Sequence, residues 1–551
     1  MYASLAVLAA QEDLKKLTEL VERLADLPVL ARESVLTYLT SDQVRALPEE
    51  DRLPLWKQLV DVISKHRKFA DADWAMPSPE VNRIREVADG LAPLSPTLRH
   101  RRLFSERESD LYEEVGDYDA QLAKLELRRD AAVREIHEGG GVDAILEFAR
   151  ATETPWRVGL ACAAVATAED EARILPRFLD TSDTSVARLA GGFVWGLFRI
   201  GGWAWVDNIA MSTWTETQAG QLFAYLPFRP ETWERVALIL GEADSVYWSR
   251  TTANPYDTDV GLDKAVNELI KHGRPYAAIR CLRKMQYDKR PIDSAQAAAA
   301  LLAALHSSES HAADAHELVG IIKVLQGDQR MDPDLLFKIE WAYLPILDRY
   351  TKAAPKLLER RLADEANFFC EVIRLVYRAD NAVTEEVASD DDKKAVATNA
   401  YRLLSRWRTP PGQCTDSEFN GDALRRWLDA VKTQCAATGH LDVAMMWVGH
   451  VLVYVPADLD GLWINSSAAD VLNARDATHM REGFVTELFN SRGTYGFREG
   501  QEELKLATRY RAKAEAVEQR GFHRLAGALR DLAASYERDA ARDSSRSPFD
   551  T

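Results

Sequence analysis

Cysteine is scarce in this 551-residue chain, and its five cysteines are scattered. They are odd in number and no two are spaced as Cys-x-x-Cys, which argues against a disulfide framework and against a four-thiolate zinc site. We therefore expect buried, reduced thiols in a cytoplasmic protein. Uncharged apolar runs of about 18 residues are also lacking, so we predict no transmembrane span. The apolar run at 1–10 has no basic flank, which favours the start of an amphipathic helix over a signal peptide.

The motifs of several enzyme classes are lacking as well. The chain contains no Gly-x-x-x-x-Gly-Lys-Ser/Thr, no Gly-x-Gly-x-x-Gly, no His-Glu-x-x-His and no Gly-x-Ser-x-Gly. His306, His311 and His316 are spaced by five, which spreads them around a helix and favours a hydrophilic loop over a metal site. We therefore predict no catalysis, no cofactor and no metal. An enzyme with an unrecognised active site is the least favoured alternative.

The chain also lacks an excess of basic residues. The chain has 69 lysines and arginines against 86 acidic residues, a net charge of -17. This balance argues against general nucleic-acid binding and against attraction to acidic membranes.

The densest local exception is the cluster of Arg99, His100, Arg101, Arg102 and Arg107. Two interpretations are open. The cluster binds an anion or an acidic partner, or it pairs locally with the acidic residues that follow it, which are Glu106, Glu108, Asp110, Glu113 and Glu114.

Helical periodicity is present along the whole chain. Leu14, Leu17, Val21 and Leu24 form one apolar stripe between charged residues, and similar stripes recur between proline and glycine breaks. Gly139–Gly141, for example, is expected to end a helix that begins near Tyr118. The breaks are about 20 to 45 residues apart, and strand-like alternation is almost absent. This pattern predicts an all-α protein, a helical-hairpin repeat array resembling an α-solenoid superhelix with almost no β-structure.

Composition suggests six segments along this array. The stretch at 380–392 is acidic and poor in large apolar residues, so we interpret it as a linker or loop. The predicted segments are an N-terminal helical segment at 1–92, a helical array with a Trp-rich core at 93–308, its continuation at 309–380, the acidic linker at 381–392, a C-terminal helical segment at 393–542 and a polar tail at 543–551.

Aromatic residues are concentrated in one region. Six of the fourteen tryptophans fall between 195 and 248. We favour a packed inter-helix core for this region and keep a partly exposed recognition surface as the alternative. A polar loop around Gly493 and the basic cluster complete the candidate surfaces. The candidate partner-binding residues are Arg99, Arg101, Arg102, Trp203, Trp205, Trp214, Tyr247, Trp248, Arg492 and Tyr495. Glu340, in an aromatic context, is expected to have a raised pKa.

Several phrases together resemble the long helical C-terminal region of large bacterial intracellular proteins, some of which are similar to antiphage defence ATPases of the STAND type. The phrases are Arg99–Phe104, Val246–Trp248, Ala265–Ala278, Glu340–Pro345, Pro456–Trp463, Asn490–Gly493, Tyr510–Ala514, Arg524–Ala526 and Ala533–Glu537.

In such defence proteins the helical array is the sensor for a foreign protein. The resemblance therefore implies a protein-binding recognition module in a bacterial antiviral defence system, whose partner is a phage protein or another subunit or effector of its own system. It also allows oligomers and allows the chain to be the helical part of a longer ATPase or effector protein. A structural or autoinhibitory scaffold subunit of a multiprotein complex is the main alternative.

Overall fold

The computed structural model describes residues 13–107, 111–112, 117–309, 314–347, 353–379, 391–414, 418–491 and 501–545. Within these ranges the chain forms twenty-seven α-helices and short 3₁₀ turns. The β-structure in the same ranges is an isolated bridge between Gln413 and Phe419. The predicted all-α class is thereby confirmed, and the superhelical stacking stays a prediction. Contacts divide the chain into two compact units, Met1–Leu262 and Asp263–Thr551.

The first unit contains thirteen α-helices in its described part. They are α1 (Leu14–Glu22), α2 (Val29–Leu39), α3 (Asp42–Arg45), α4 (Glu49–Lys68), α5 (Ser78–Leu91), α6 (Pro96–His100), α7 (Tyr118–Ala151), α8 (Pro155–Ala163), α9 (Ala168–Ile174), α10 (Thr184–Asn208), α11 (Glu216–Ala224), α12 (Pro230–Leu240) and α13 (Ser245–Arg250).

Glycines interrupt the two longest helices of this unit. In α7, Gly140 and Gly141 have non-helical backbone angles, which confirms the break expected at Gly139–Gly141. In α10, Gly202 has a positive φ of 56°. A positive φ is accessible to glycine without steric cost, so each glycine lets one continuous segment change direction. Each of these two helices therefore consists of two helical segments that meet at a glycine kink.

Helices α8 and α10 pack unusually closely because glycines lie where they meet. A methyl group added to Gly192 would lie 2.0 Å from the carbonyl oxygen of Trp156, and one added to Gly159 would lie 1.9 Å from that of Leu189. Side chains of any size are excluded at such distances. Glycine therefore lets the two backbones touch directly, and α7 packs against the same pair.

The second unit contains fourteen α-helices in its described part. They are α14 (Leu262–Lys271), α15 (Pro275–Tyr287), α16 (Ser294–Ala304), α17 (Ala315–Gly327), α18 (Pro333–Ala342), α19 (Lys356–Asp364), α20 (Ala366–Val376), α21 (Asp391–Arg406), α22 (Gly421–Thr438), α23 (Leu441–Leu452), α24 (Ser466–Asn473), α25 (Thr478–Asn490), α26 (Gln501–Gln519) and α27 (His523–Ser545). Residues 380–390, which include most of the predicted acidic linker, lie outside the described residues.

A buried carboxylate stabilises the start of α19. Glu340 is inaccessible to solvent and accepts hydrogen bonds from the backbone N–H groups of Leu357 and Leu358 at 3.3 and 3.0 Å. Gln326 donates to the same carboxyl group at 2.6 Å. Burial raises the pKa of Glu340, which confirms the expectation from its sequence context. The carboxyl group serves as a helix cap here.

The described cysteines are all free thiols, and Cys414 alone among them is exposed. No helix in the described ranges combines the length and the apolar character that crossing a membrane requires.

Candidate functional site

Three residues of the basic cluster, Arg99, His100 and Arg102, line a cleft in the first unit. The cleft has a volume of about 310 Å³. Its walls come from α4, from α6, from the 3₁₀ turn Arg101–Phe104 and from the first half of α7. We call it the basic cleft, and its lining residues are Trp56, Val60, Arg99, His100, Arg102, Leu103, Arg128, Ala131, Ala132 and Glu135.

Arg99 and His100 converge on one carboxylate. Arg99 donates from Nη1 to Oε1 of Glu135 at 2.9 Å, and Nε2 of His100 lies 2.7 Å from Oε2. The hydrogen bond with His100 and the charge of Arg99 hold the pKa of Glu135 below its ordinary value. Arg99 also donates to the carbonyl oxygen of Pro93 from Nε and Nη2, at 3.2 and 3.1 Å. These contacts fix the guanidinium plane at the edge of the cleft.

Two further arginines complete the positive wall. Arg102 donates from Nη1 to the hydroxyl of Ser64 at 3.2 Å, and its Nη2 lies 2.6 Å from a carboxylate oxygen of Asp61. Arg128 donates to the carbonyl oxygen of Leu111 at 3.3 Å. The lining thus holds three guanidinium groups and one imidazole against the single carboxylate of Glu135. A guanidinium group presents several donors in a planar fork, a geometry suited to carboxylates and phosphates.

The basic cluster does pair with acidic residues of the same chain, as one of the two interpretations predicted. The acidic partners, however, differ from those expected. Glu135 and Asp61 pair with the cluster, and both are distant from it in sequence. Glu106 is exposed, and its own backbone N–H donates to Glu153 at 3.0 Å. The other four expected acids, at 108, 110, 113 and 114, lie outside the described residues. Arg101 is exposed and does not line the basic cleft.

Sequence reasoning missed Arg128 and Glu135 as members of the site. A usable signal was present, because the two residues are seven apart and seven residues are about two helical turns. They therefore share one face of α7, with Ala131 and Ala132 between them leaving space above the helix. What the sequence did not show is that α6 packs on α7 and that α4 supplies the opposite wall of the cleft.

The aromatic candidates separate into two groups. Trp203, Trp205 and Trp214 are half-buried. Trp203 is covered by Arg235, whose guanidinium carbon lies 4.2 Å from the ring centre, and the indole N–H of Trp205 donates to Glu171 at 2.9 Å. Trp203 and Trp205 are thus engaged by neighbouring polar side chains at the protein surface.

Tyr247 and Trp248, in contrast, belong to the core. Their exposed fractions are 0% and 3%. Trp248 packs edge-on against Phe228 at 6.1 Å between ring centres and lies 6.0 Å from Trp233. The packed-core interpretation therefore applies to these two residues, and they offer a partner no surface here. Arg492 and Tyr495 lie outside the described residues.

Comparisons of the chain with protein-family models, with curated proteins and with solved structures each gave no match.

Proposed function

We propose that this chain is a protein-binding helical module that recognises an acidic segment of a partner through the basic cleft. The observation that carries this proposal is the excess of positive charge in the lining, three arginines against one glutamate, with Arg102 also paired to Asp61 beside the cleft. The excess is local, because the chain as a whole has a net charge of -17.

The chemistry of the basic cleft suits carboxylate side chains on a peptide. Arg99 and Arg102 keep 35% and 20% of their side chains exposed, so both guanidinium groups are partly desolvated and still reachable. Charge-assisted hydrogen bonds to such groups are stronger than those between neutral groups. Trp56, Val60 and Leu103 add apolar surface for the aliphatic parts of an incoming segment.

The acidic character of the rest of the chain does not prevent this binding. Salt screens exposed charges beyond about 8 Å at physiological ionic strength, so the groups inside the basic cleft dominate at contact distance. The resemblance noted above favours a phage protein, or another subunit of its own system, as the partner in a cytoplasmic setting.

A peptide titration tests this proposal. The probe is a fluorescein-labelled deca-glutamate peptide, with deca-lysine as the opposite-charge control and anisotropy as the readout. The double variant Arg102→Gln/Arg128→Gln removes two positive charges from the lining. The matched control, Arg85→Gln/Arg188→Gln, removes two exposed arginines of the same unit that do not line the basic cleft.

We expect the cleft variant to bind deca-glutamate at least about tenfold more weakly, which corresponds to about 1.4 kcal/mol. The control variant should bind like the wild type, and circular dichroism should show equal helix content in all three proteins. Equal weakening in both variants would show that only the overall charge of the protein matters, and it would refute the proposal. Unchanged binding by the cleft variant would refute it as well.

A further inference from the structure

A second cleft lies on the opposite face of α7. Glu126 and Asp130 line it, and on an ideal helix they are turned about 140–180° away from Arg128 and Glu135. Its volume is about 230 Å³. Because α8 and α10 supply the other walls, this cleft, which we call the mixed-charge cleft, is distinct from the basic cleft.

Small and aliphatic residues form the apolar part of the mixed-charge cleft. Ala161 and Ala164 come from α8 and its last turn, and Gly196 and Ile200 come from α10. A methyl group added to Gly196 would lie 2.5 Å from the Cβ of Ala163, which shows how closely the two helices approach beneath it. Short side chains above this contact leave the space that a ligand would fill.

The charged part contains both signs. Arg129, Arg157 and Arg199, one from each helix, line the cleft together with Glu126 and Asp130. Arg129 is buried and donates from Nε to the carbonyl oxygen of Leu103 at 2.8 Å. Nη1 of Arg199 lies 3.4 Å from Oε1 of Glu126. The site therefore holds one more positive than negative charge.

Asp130 is the unusual member of this set. Its half-buried carboxyl group makes no hydrogen bond and no ion pair with any residue in the described part of the chain. Burial raises the pKa of Asp130 and the charge of Glu126 raises it further, against the opposing effects of Arg134 and Arg199. The carboxyl oxygens of Asp130 are not fully buried, so water solvates them in the free protein. An incoming cationic donor would replace that water and favour the charged form of the carboxyl group.

We propose that the mixed-charge cleft binds a small zwitterion, an aliphatic α-amino acid. Its ammonium group would donate to Asp130, its carboxylate would accept from Arg157 and Arg199, and its side chain would rest on Ala161, Ala164 and Ile200. An ammonium alone would enter a site that already has excess positive charge. A carboxylate alone would leave Asp130 without a donor. A zwitterion matches both charges and adds no net charge to a partly desolvated site.

Isothermal titration calorimetry with three related compounds tests this proposal. The probe is L-leucine. The compound 4-methylpentanoate lacks its ammonium group, and 3-methylbutylamine lacks its carboxylate. We expect leucine to bind and each analogue to bind at least about tenfold more weakly, the effect of losing one interaction of about 1.4 kcal/mol.

Three variants of the full chain locate the site. Asp130→Asn removes the charge with little change in shape, and Ala164→Leu fills the cleft without removing any charge. Asp143→Asn is the matched control, because Asp143 is an exposed acid on the same helix, 3.1 Å from Arg173 and outside the cleft. We expect the first two variants to lose leucine binding at least about tenfold and the control to keep it.

Three outcomes would overturn this inference: no heat with leucine, equal binding of an analogue, or unchanged binding in both Asp130→Asn and Ala164→Leu. The inference is separable from the proposed function. Asp130→Asn should leave deca-glutamate binding intact, and Arg102→Gln/Arg128→Gln should leave leucine binding intact.

Discussion

Replacing Gly192 with alanine tests the close contact between α8 and α10. The added Cβ would lie 2.0 Å from the carbonyl oxygen of Trp156, 1.4 Å short of the 3.4 Å at which ordinary contact begins. The obstacle is backbone, which cannot rotate away as a side chain can. Accommodation therefore requires α8 and α10 to separate by about 1 Å, and a gap of that size forfeits a quarter to a half of each dispersion contact along the interface.

The expected change in stability follows from two opposing terms. Alanine in place of glycine favours a helix by about 1 kcal/mol. Overpacking typically costs about 1–3 kcal/mol, and more where backbone atoms collide. Because the Cβ collides with a carbonyl oxygen, we place Gly192→Ala at the upper end of that cost and expect a net loss of about 2 kcal/mol. Urea unfolding followed by far-UV circular dichroism measures it.

Gly90→Ala is the matched control for this experiment. Gly90 lies inside α5, and an added Cβ would meet no atom within 4 Å. Without a clash, only the helix-propensity term remains, so this variant should be unchanged or up to about 1 kcal/mol more stable. Finding Gly192→Ala as stable as Gly90→Ala would refute the backbone contact between α8 and α10.

Three further predictions concern buried polar groups and thiols. Burial and the charge of Lys65 hold the pKa of His66 below its ordinary 6.5, and its Nδ1 accepts the N–H of Met76 at 3.0 Å. The folded state therefore binds fewer protons than the unfolded state as pH falls below 6.5, so stability should fall there. The fall should be steeper in the wild type than in His66→Phe, which retains His450 with its pKa also lowered by burial and which should lose about 1–3 kcal/mol at pH 7.5. Glu340→Ala leaves the backbone N–H of Leu358 without its acceptor, so the free energy of unfolding should fall by at least about 2 kcal/mol. The control is Glu371→Ala, which removes an exposed glutamate and should leave the free energy of unfolding unchanged. Cys414 is the exposed thiol, so the native protein should show one fast-reacting thiol towards Ellman's reagent, and Cys414→Ser should show none.

Local signals in the sequence were sufficient for the fold class and for some helix breaks. Gly139–Gly141 marked the break in α7 because glycine acts on its own backbone and needs no distant partner. Other helix ends carry no such signal. Helix α18 ends at Ala342, and Glu365 separates α19 from α20, without a glycine at either place. Helical periodicity continues across such breaks, and packing decides where each helix ends.

The candidate site could be predicted only in part. The basic cluster was visible as a run of arginines, whereas its carboxylate partners Glu135 and Asp61 come from other helices. Pairing across elements depends on the tertiary arrangement, which periodicity alone does not encode. The aromatic residues show the same division, since Trp203 reaches the surface and Trp248 lies in the core although both come from one Trp-rich stretch.

The most direct test of protein binding through the basic cleft is a three-bait capture experiment. Wild type, Arg102→Gln/Arg128→Gln and Arg85→Gln/Arg188→Gln are used as baits in phage-infected and uninfected cells, with chemical cross-linking and mass spectrometry of the cross-linked peptides. The proposal predicts a protein that the wild type and the control variant recover and the cleft variant loses, cross-linked beside the basic cleft through a segment rich in aspartate and glutamate. Recovery of the same proteins by all three baits would contradict it, and recovery independent of infection would contradict phage sensing.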